Sequence, residues 1–272
     1  MHSDGYFNER VASTYDDDVD SFSSEAVAPV VDFLAELADG GSALEFGIGT
    51  GRIALPLAMK GVEVHGIDLS NAMLAKLAEK PGGESISVTQ GDFATTPCQR
   101  SFSLVYLIFN TIMNLTTQDE QVSCFQNAAS HLNPGGSFVI EVMVPALQRI
   151  PHGETNHVFA FRNDYWGVDT YNVVSQSLES HHLRVRTQKV ELTSIPFRYV
   201  WPSELDLMAR IANLKLKARW GGWKKEPFTN ISRYHVSVWE KPLDKDQELK
   251  NGNFDNSVAR RQTRKIKRTS PG

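Results

Sequence analysis

A doubly wound α/β sheet is the fold this sequence predicts, and three observations predict it. Apolar, β-branched runs and helical periodicities alternate between Ala43 and Val144. The first run ends in a loop with glycine at every second position, Gly47-Ile48-Gly49-Thr50-Gly51. Short period-2 segments without helices between them then replace the alternation after Pro145. Alternating strands and helices give parallel strands covered on both faces, whereas period-2 segments in succession pair antiparallel.

The elements follow in order. Val27, Val30, Val31, Leu34 and Leu37 recur at three- and four-residue steps, marking one side of a helix that stops before Gly40-Gly41. The first strand is Ala43–Phe46. Its glycine loop lets the backbone turn sharply against a ligand with no Cβ in the way. The next helix runs to Lys60 and offers unpaired N–H groups to an anionic or carboxylate end. Val62–Asp68 is a second strand ended by an acid, and Ser70 stands where an N-cap belongs for a helix over 71–79. A third strand, Ser85–Gln90, leads into Gly91-Asp92-Phe93, and Phe102–Phe109 is a fourth, apolar nearly throughout. Thr117 and Glu120 have capping-box spacing for a helix through Leu132, Asn133-Pro134-Gly135-Gly136 is a turn, and Ser137–Val144 is a fifth strand. Sheets of this kind bind ligands at the C-terminal edges of their strands.

Beyond Pro145 the period-2 segments are Val158–Arg162, Tyr171–Ser177, Leu183–Leu192 and Phe197–Val200. They predict an antiparallel insertion lying over the sheet edge as a lid. Helical periodicity returns from Ser203 to about Asn213, and Leu214–Trp220 and His235–Trp239 read as two closing strands around Gly221-Gly222-Trp223. The expected organisation is a ligand-binding core with N-terminal helices over 1–145, the insertion over 146–200, a closing helix and hairpin over 201–242, and a basic tail over 243–272. Six Arg or Lys fall between 260 and 268 without any core pattern, which reads as a solvated, disordered segment.

Composition narrows the function classes. The chain has 272 residues, a net charge of −4 and 41% hydrophobic residues, the profile of an ordinary globular domain whose charge gives no argument for a nucleic-acid binder. Cys98 and Cys124 are the two cysteines, too few for a disulfide framework or a multi-cysteine metal site, and they fit a reduced cytoplasmic setting. Met1-His2-Ser3-Asp4-Gly5 carries no signal pattern, and no apolar stretch approaches a membrane span. The expectation is a cytoplasmic protein, without metal or membrane, acting alone or as a homodimer.

The glycine spacing selects among nucleotide ligands. A dinucleotide fingerprint would put its third glycine at position 52, which is Arg52 here. Taken together, "LEFGIGTGR", "VHGIDLS", "GDF" and "LNPGGSFVIE" in this order resemble the signature of class I S-adenosylmethionine-dependent methyltransferases. The resemblance is close over about residues 10 to 145. It implies a Rossmann-like sheet of seven strands with the last antiparallel, and S-adenosylmethionine as cofactor. It also implies residue roles. Gly47, Gly49 and Gly51 would meet the methionine part, with Glu45 near its ammonium group. Asp68 would accept from the ribose hydroxyls, Leu69 and Met73 would flank adenine, and Gly91, Asp92 and Phe93 would read its edge. Tyr15, in "ASTYDDDVD", matches a tyrosine that folds over the cofactor in related small-molecule enzymes.

For the methyl acceptor the sequence excludes more than it names. The segment after the fourth strand, Phe109-Asn110-Thr111-Ile112-Met113-Asn114, lacks the Asn/Asp-Pro-Pro-Tyr arrangement of enzymes that methylate exocyclic amines on bases or glutamine. It also lacks an aspartate for a magnesium-dependent catechol site, and neither cysteine suits covalent base methylation. A small, aromatic or amine-containing metabolite enclosed under the insertion remains, methylated on N, O or C. Tyr165, Trp166, Tyr171, Phe197, Tyr199 and Trp201 concentrate aromatic area there, and Tyr165, Trp166, Tyr199 and Trp201 are the expected substrate-binding set. Asn110 is expected to position the nucleophile. His181, His182 and His157 are the candidate proton acceptors, with Arg198 and Glu204 further candidates. Two competing readings are an NAD-type oxidoreductase and a non-catalytic cofactor-binding protein.

Overall fold

The structure is a computed structural model that describes residues 6–17, 23–186 and 189–243. The basic tail lies outside the described residues from position 244 onward.

Seven strands form the main sheet: β1 (Ala43–Phe46), β2 (Val64–Asp68), β3 (Ser87–Gln90), β4 (Phe102–Leu107), β5 (Leu132–Met143), β10 (Lys215–Trp220) and β11 (Tyr234–Glu240). Their order is β10-β11-β5-β4-β1-β2-β3. Strands β1 to β5 pair in parallel, while β11 runs antiparallel to both β5 and β10. The doubly wound, mostly parallel sheet and its reversed final strand are therefore as expected.

Helices α1 (Glu9–Ala12), α2 (Ser24–Ala38), α3 (Ala54–Met59), α4 (Asn71–Ala78), α5 (Gln118–His131) and α6 (Pro202–Ile211) surround it. Ser70 caps α4 by accepting from Met73 N–H at 3.1 Å. Thr117 and Glu120 close a reciprocal capping box on α5. Side chains alternate across each strand, so two apolar layers result. Leu44, Phe46, Val105 and Phe138 pack against Phe125 of α5 and Leu205 of α6. Ala43, Leu104, Tyr106 and Val139 face the other way, toward Leu34 of α2 and Leu57 of α3. Burial on both faces is why β4 shows no polar alternation. Strands β1 and β4 are neighbours whose chains leave toward opposite faces, and this divergence opens a crevice at their C-terminal ends.

The insertion is a four-stranded antiparallel sheet in chain order: β6 (Asn156–Phe161), β7 (Tyr165–Asn172), β8 (Ser177–Arg186) and β9 (Lys189–Arg198). Three expected segments need correction. Phe197–Val200 is no strand of its own, because Phe197 and Arg198 end β9 and the chain leaves the sheet at Tyr199. Tyr171–Ser177 is not a strand, because β7 ends at Asn172, whose Oδ1 accepts from Val174 N–H at 2.9 Å and Ser175 N–H at 3.2 Å, and Gln176 turns at φ 57°. Leu183–Leu192 divides between β8 and β9, and residues 187 and 188 lie outside the described residues. The phase of its apolar positions shifts between Leu183/Val185 and Val190/Leu192, a signal that one strand cannot produce. Tyr171, Leu178 and Tyr199 join the insertion to the main apolar layer.

Candidate active site

The glycine loop is built by backbone geometry and one carboxylate. Gly47, Gly49 and Gly51 have φ of 69°, 56° and 79°, a region costly for residues with a Cβ. A Cβ on Gly47 would fall 2.8 Å from Thr111 Cγ2, whereas on Gly49 it would project into open space, 4.0 Å from its nearest neighbour. Asp68 holds this shape: its Oδ2 accepts from Gly49 N–H and its Oδ1 from Ser70 N–H, each at 2.8 Å.

Glu45 is 5% exposed and accepts from the Tyr106 hydroxyl at 2.9 Å and from the backbone N–H of Ala54 at the start of α3. Burial pushes its carboxyl up to about 8, against the lowering effect of those two donors. A carboxyl so buried stays protonated at neutral pH until a cation joins it. A cavity of about 40 Å³ lies against Glu45, Gly47, Gly49, Thr50 and Arg52.

The N-terminal segment covers this loop. Asp16 accepts from Thr50 Oγ1 at 2.6 Å and pairs with Lys80 at 2.6 Å, and Lys80 also donates to the Thr50 carbonyl at 2.7 Å. The adjoining Tyr15 ring lies 5.5 Å from the Arg52 guanidinium, which also stands 4.4 Å over Phe109. Phe7 meets Tyr15 edge-on, and its carbonyl accepts from Ser70 at 2.5 Å.

On the far side of the crevice, Phe109 and Asn110 both adopt left-handed backbone, φ 53° and 61°. Consecutive strained residues persist only when their surroundings hold them. Glu141 accepts from Phe109 N–H at 2.8 Å, and Asn110 Oδ1 accepts from Met143 N–H at 2.7 Å. The bond from Met143 fixes the Asn110 amide, whose N–H groups remain to donate to a ligand. It can orient an acceptor atom but cannot take its proton.

A second cavity, about 790 Å³, lies between this turn and the inner face of the insertion. Tyr15, Phe109 and Thr111 border both cavities. Apolar wall comes from Met113, Met143, Phe159, Leu178, Ile195 and Phe197, and polar wall from Asn110, His157, Asp169, Ser180 and His182.

Several expected substrate residues are elsewhere. Trp166 is 44% exposed on the outer face of the insertion, stacked on Phe161. Tyr199 is 1% exposed in the core, and Trp201 packs edge-on against it. His181 alternates with His182 along β8, so the two face opposite sides, and His181 instead bonds Ser194 at 2.7 Å. Tyr165 does not border the cavity and instead bonds His182 Nδ1 at 2.7 Å. Arg198 and Glu204 form a buried pair at 2.7 Å, joined by Gln121 and Gln176. The half-buried Leu69, Asp92 and Phe93 stand after β2 and β3, with Asp92 Oδ1 accepting from Ala94 N–H and Phe93 stacked on Phe46. Gly91 has no room for a side chain beside Thr96, and Met73 is 2% exposed within the interior.

The sequence reading missed Tyr106, Glu141, Asp169 and Ser180. Glu141 was detectable as an acid inside the apolar run Phe138–Val142, where a buried charge requires partners. Asp169 and Ser180 gave no such signal, because strands of the insertion alternate polar and apolar residues throughout.

A glycine loop after β1, an acid closing β2, another just beyond β3, and a reversed final strand define the Rossmann-like methyltransferases that use S-adenosylmethionine. A family profile described as "Methyltransferase domain" matches residues 43–136. The solved CcbJ methyltransferase of Streptomyces caelestis is 33% identical, covered over 100% of its length by 89% of this chain, with a TM-score of 0.77. The cypemycin N-terminal methyltransferase of Streptomyces sp is 27% identical over 206 residues, 75% of this chain and 84% of that protein. CalS10 of Micromonospora echinaspora, solved with S-adenosylmethionine bound, shares the fold at 21% identity and a TM-score of 0.62, with coverage of 89% of this chain and 100% of that one. The chain belongs to the class I S-adenosylmethionine-dependent methyltransferases. S-adenosylmethionine is its cofactor, which sets aside the oxidoreductase reading, and membership of a family of methyltransferases makes the chain an enzyme. Among the described residues, no helix is long and apolar enough to cross a membrane.

Proposed function

We propose that this enzyme methylates an N, O or C nucleophile of a small acceptor held in the 790 Å³ cavity. The observation that carries this reading is the wall of Tyr15, Phe109 and Thr111 shared by the two cavities, which supports an acceptor site next to the glycine loop. The name of the cypemycin relative, which specifies an N-terminus, supports an enclosed amine-bearing acceptor.

The cofactor supplies an activated methyl group on a sulfonium. Gly47, Gly49, Gly51, Glu45 and Tyr15 would hold its methionine part; Asp68, Leu69, Gly91, Asp92 and Phe93 would hold its nucleoside part. The open Cβ position on Gly49 and the buried Glu45 carboxyl, raised despite its donors, fit a close-lying ligand with a cationic group. For the transfer itself, the protein must align a nucleophile and exclude water. Asn110 donates from its amide to orient the acceptor, His182 borders the acceptor space as a neutral imidazole, and the insertion over 146–200 closes it from solvent. Phe159, Phe197 and Met113 take the acceptor's apolar surface.

Incubation with methyl-labelled S-adenosylmethionine and a panel of amines, indoles and phenols tests this reading. Labelled small-molecule product is expected. Cofactor binding without transfer to any member of these classes would contradict it.

A further inference from the structure

The inner face of the insertion carries a polar row that methyl transfer alone does not require. His157 lies directly opposite Asp169 across β6 and β7, and Asp169 lies opposite Ser180 across β7 and β8. All three border the large cavity. Asp169 is 7% exposed and Ser180 6%. Among the described residues that border the cavity, Asp169 is the one carboxylate; the cationic ones, Arg149 and Arg233, are exposed.

The hydrogen-bond directions around Asp169 follow from one another. The Ser180 hydroxyl donates to the Asp169 carboxylate. Ser180 Oγ therefore accepts from His182 Nε2–H at 3.2 Å, and His182 Nδ1 accepts from the Tyr165 hydroxyl at 2.7 Å. Burial and the nearby Arg184 hold His182 below its ordinary value, in keeping with the neutral ring this chain needs. Every donor in the chain points toward Asp169. Across the strand, His157 Nδ1 is buried without a hydrogen-bond partner. Burial raises the Asp169 carboxyl, against the lowering effect of the Ser180 hydroxyl and of His157 and His181 nearby.

We infer that Asp169 and His157 form a subsite for a protonated amine of the methyl acceptor, with Asp169 as counter-ion and His157 Nδ1 accepting a second N–H. The inference rests on the proposed acceptor cavity and names the chemistry it selects. An ammonium offers several donors and no acceptor, matching two converging lone-pair groups. A hydroxyl in its place offers one donor and leaves the other group unpaired, so it is rejected.

Calorimetry with S-adenosylhomocysteine present tests this directly, using phenethylamine, tyramine and tryptamine at millimolar concentration against their uncharged alcohol counterparts. The wild-type protein is expected to prefer the amines by about ten- to a hundred-fold. Asp169→Asn should abolish that preference while leaving S-adenosylhomocysteine affinity and the melting temperature unchanged. His157→Gln should reduce the preference without abolishing it. Equal binding of amines and alcohols, no amine binding, or a preference that survives in Asp169→Asn would overturn the subsite. The wild-type comparison decides even if a variant folds poorly. Failure of S-adenosylhomocysteine itself to bind would instead contradict the cofactor-site assignment.

Discussion

The Tyr106 hydroxyl donates to Glu45 across 2.9 Å in the interior, beneath the glycine loop. This pairing holds the first acid of the "LEFGIGTGR" segment in a place where water cannot stabilise its charge. Protonation of Glu45 should therefore report on both folding and cofactor binding.

With its carboxyl raised from 4.5 to about 8, folded Glu45 keeps a proton that the unfolded chain releases. The folded state then binds more protons between those values, so the cofactor-free protein loses stability as pH rises through that window. The slope from this one group is at most about 1.4 kcal/mol per pH unit. Chemical denaturation from pH 5 to 8 should show the decline, and Glu45→Gln should flatten it. S-adenosylmethionine should release a proton on binding near pH 7 in wild type but not in Glu45→Gln, read by calorimetry in buffers of different ionisation enthalpy.

Asn110 separates a positioning role from a structural one. Asn110→Gly removes the bond to Met143, worth about 1 kcal/mol, and relieves left-handed strain of about the same size. Its melting temperature should stay near wild type, while transfer falls about ten-fold or more through loss of the amide donor. Full activity in this variant would remove Asn110 from the mechanism.

The Arg198–Glu204 pair lies at 2.7 Å with side-chain exposures of 5% and 14%. Arg198→Ala leaves Glu204, Gln121 and Gln176 without their shared partner. A loss of about 3–5 kcal/mol in denaturant titration is expected. Retention of wild-type stability would show that water replaces the guanidinium at little cost.

Two aromatic residues of the insertion should behave differently. Phe197 borders the cavity, and Phe197→Ala should raise the acceptor KM by about ten-fold through lost apolar contact. Trp166 faces outward, so Trp166→Ala should change it by less than about two-fold. The reverse order would mean that acceptors bind on the other face.

The sheet was legible because its signals are local. Ser70, Thr117 and Glu120 act within one helical turn of the N–H groups they cap, and the glycines at 47, 49 and 51 register a backbone requirement that no neighbour alters. The acceptor side was less legible because strand partners decide which way a residue faces. Aromatic content alone did not separate Phe197 in the cavity from Tyr199 in the core, two positions apart, where β9 gives way to the chain entering α6. His181 and His182 are adjacent, and the pleat allows only one to face inward. Asp169 becomes notable only when β6 and β8 bring His157 and Ser180 beside it.

The central claim is that S-adenosylmethionine binds at the loop shaped by Asp68. Calorimetric titration of S-adenosylhomocysteine into wild type and Asp68→Ala tests it most directly, with a thermal melt to verify folding. Loss of the two 2.8 Å anchors to Gly49 and Ser70, together with the ribose acceptor, should weaken binding by about a hundred-fold in a folded variant. Equal affinity in the two proteins would contradict the assignment of the cofactor to this loop.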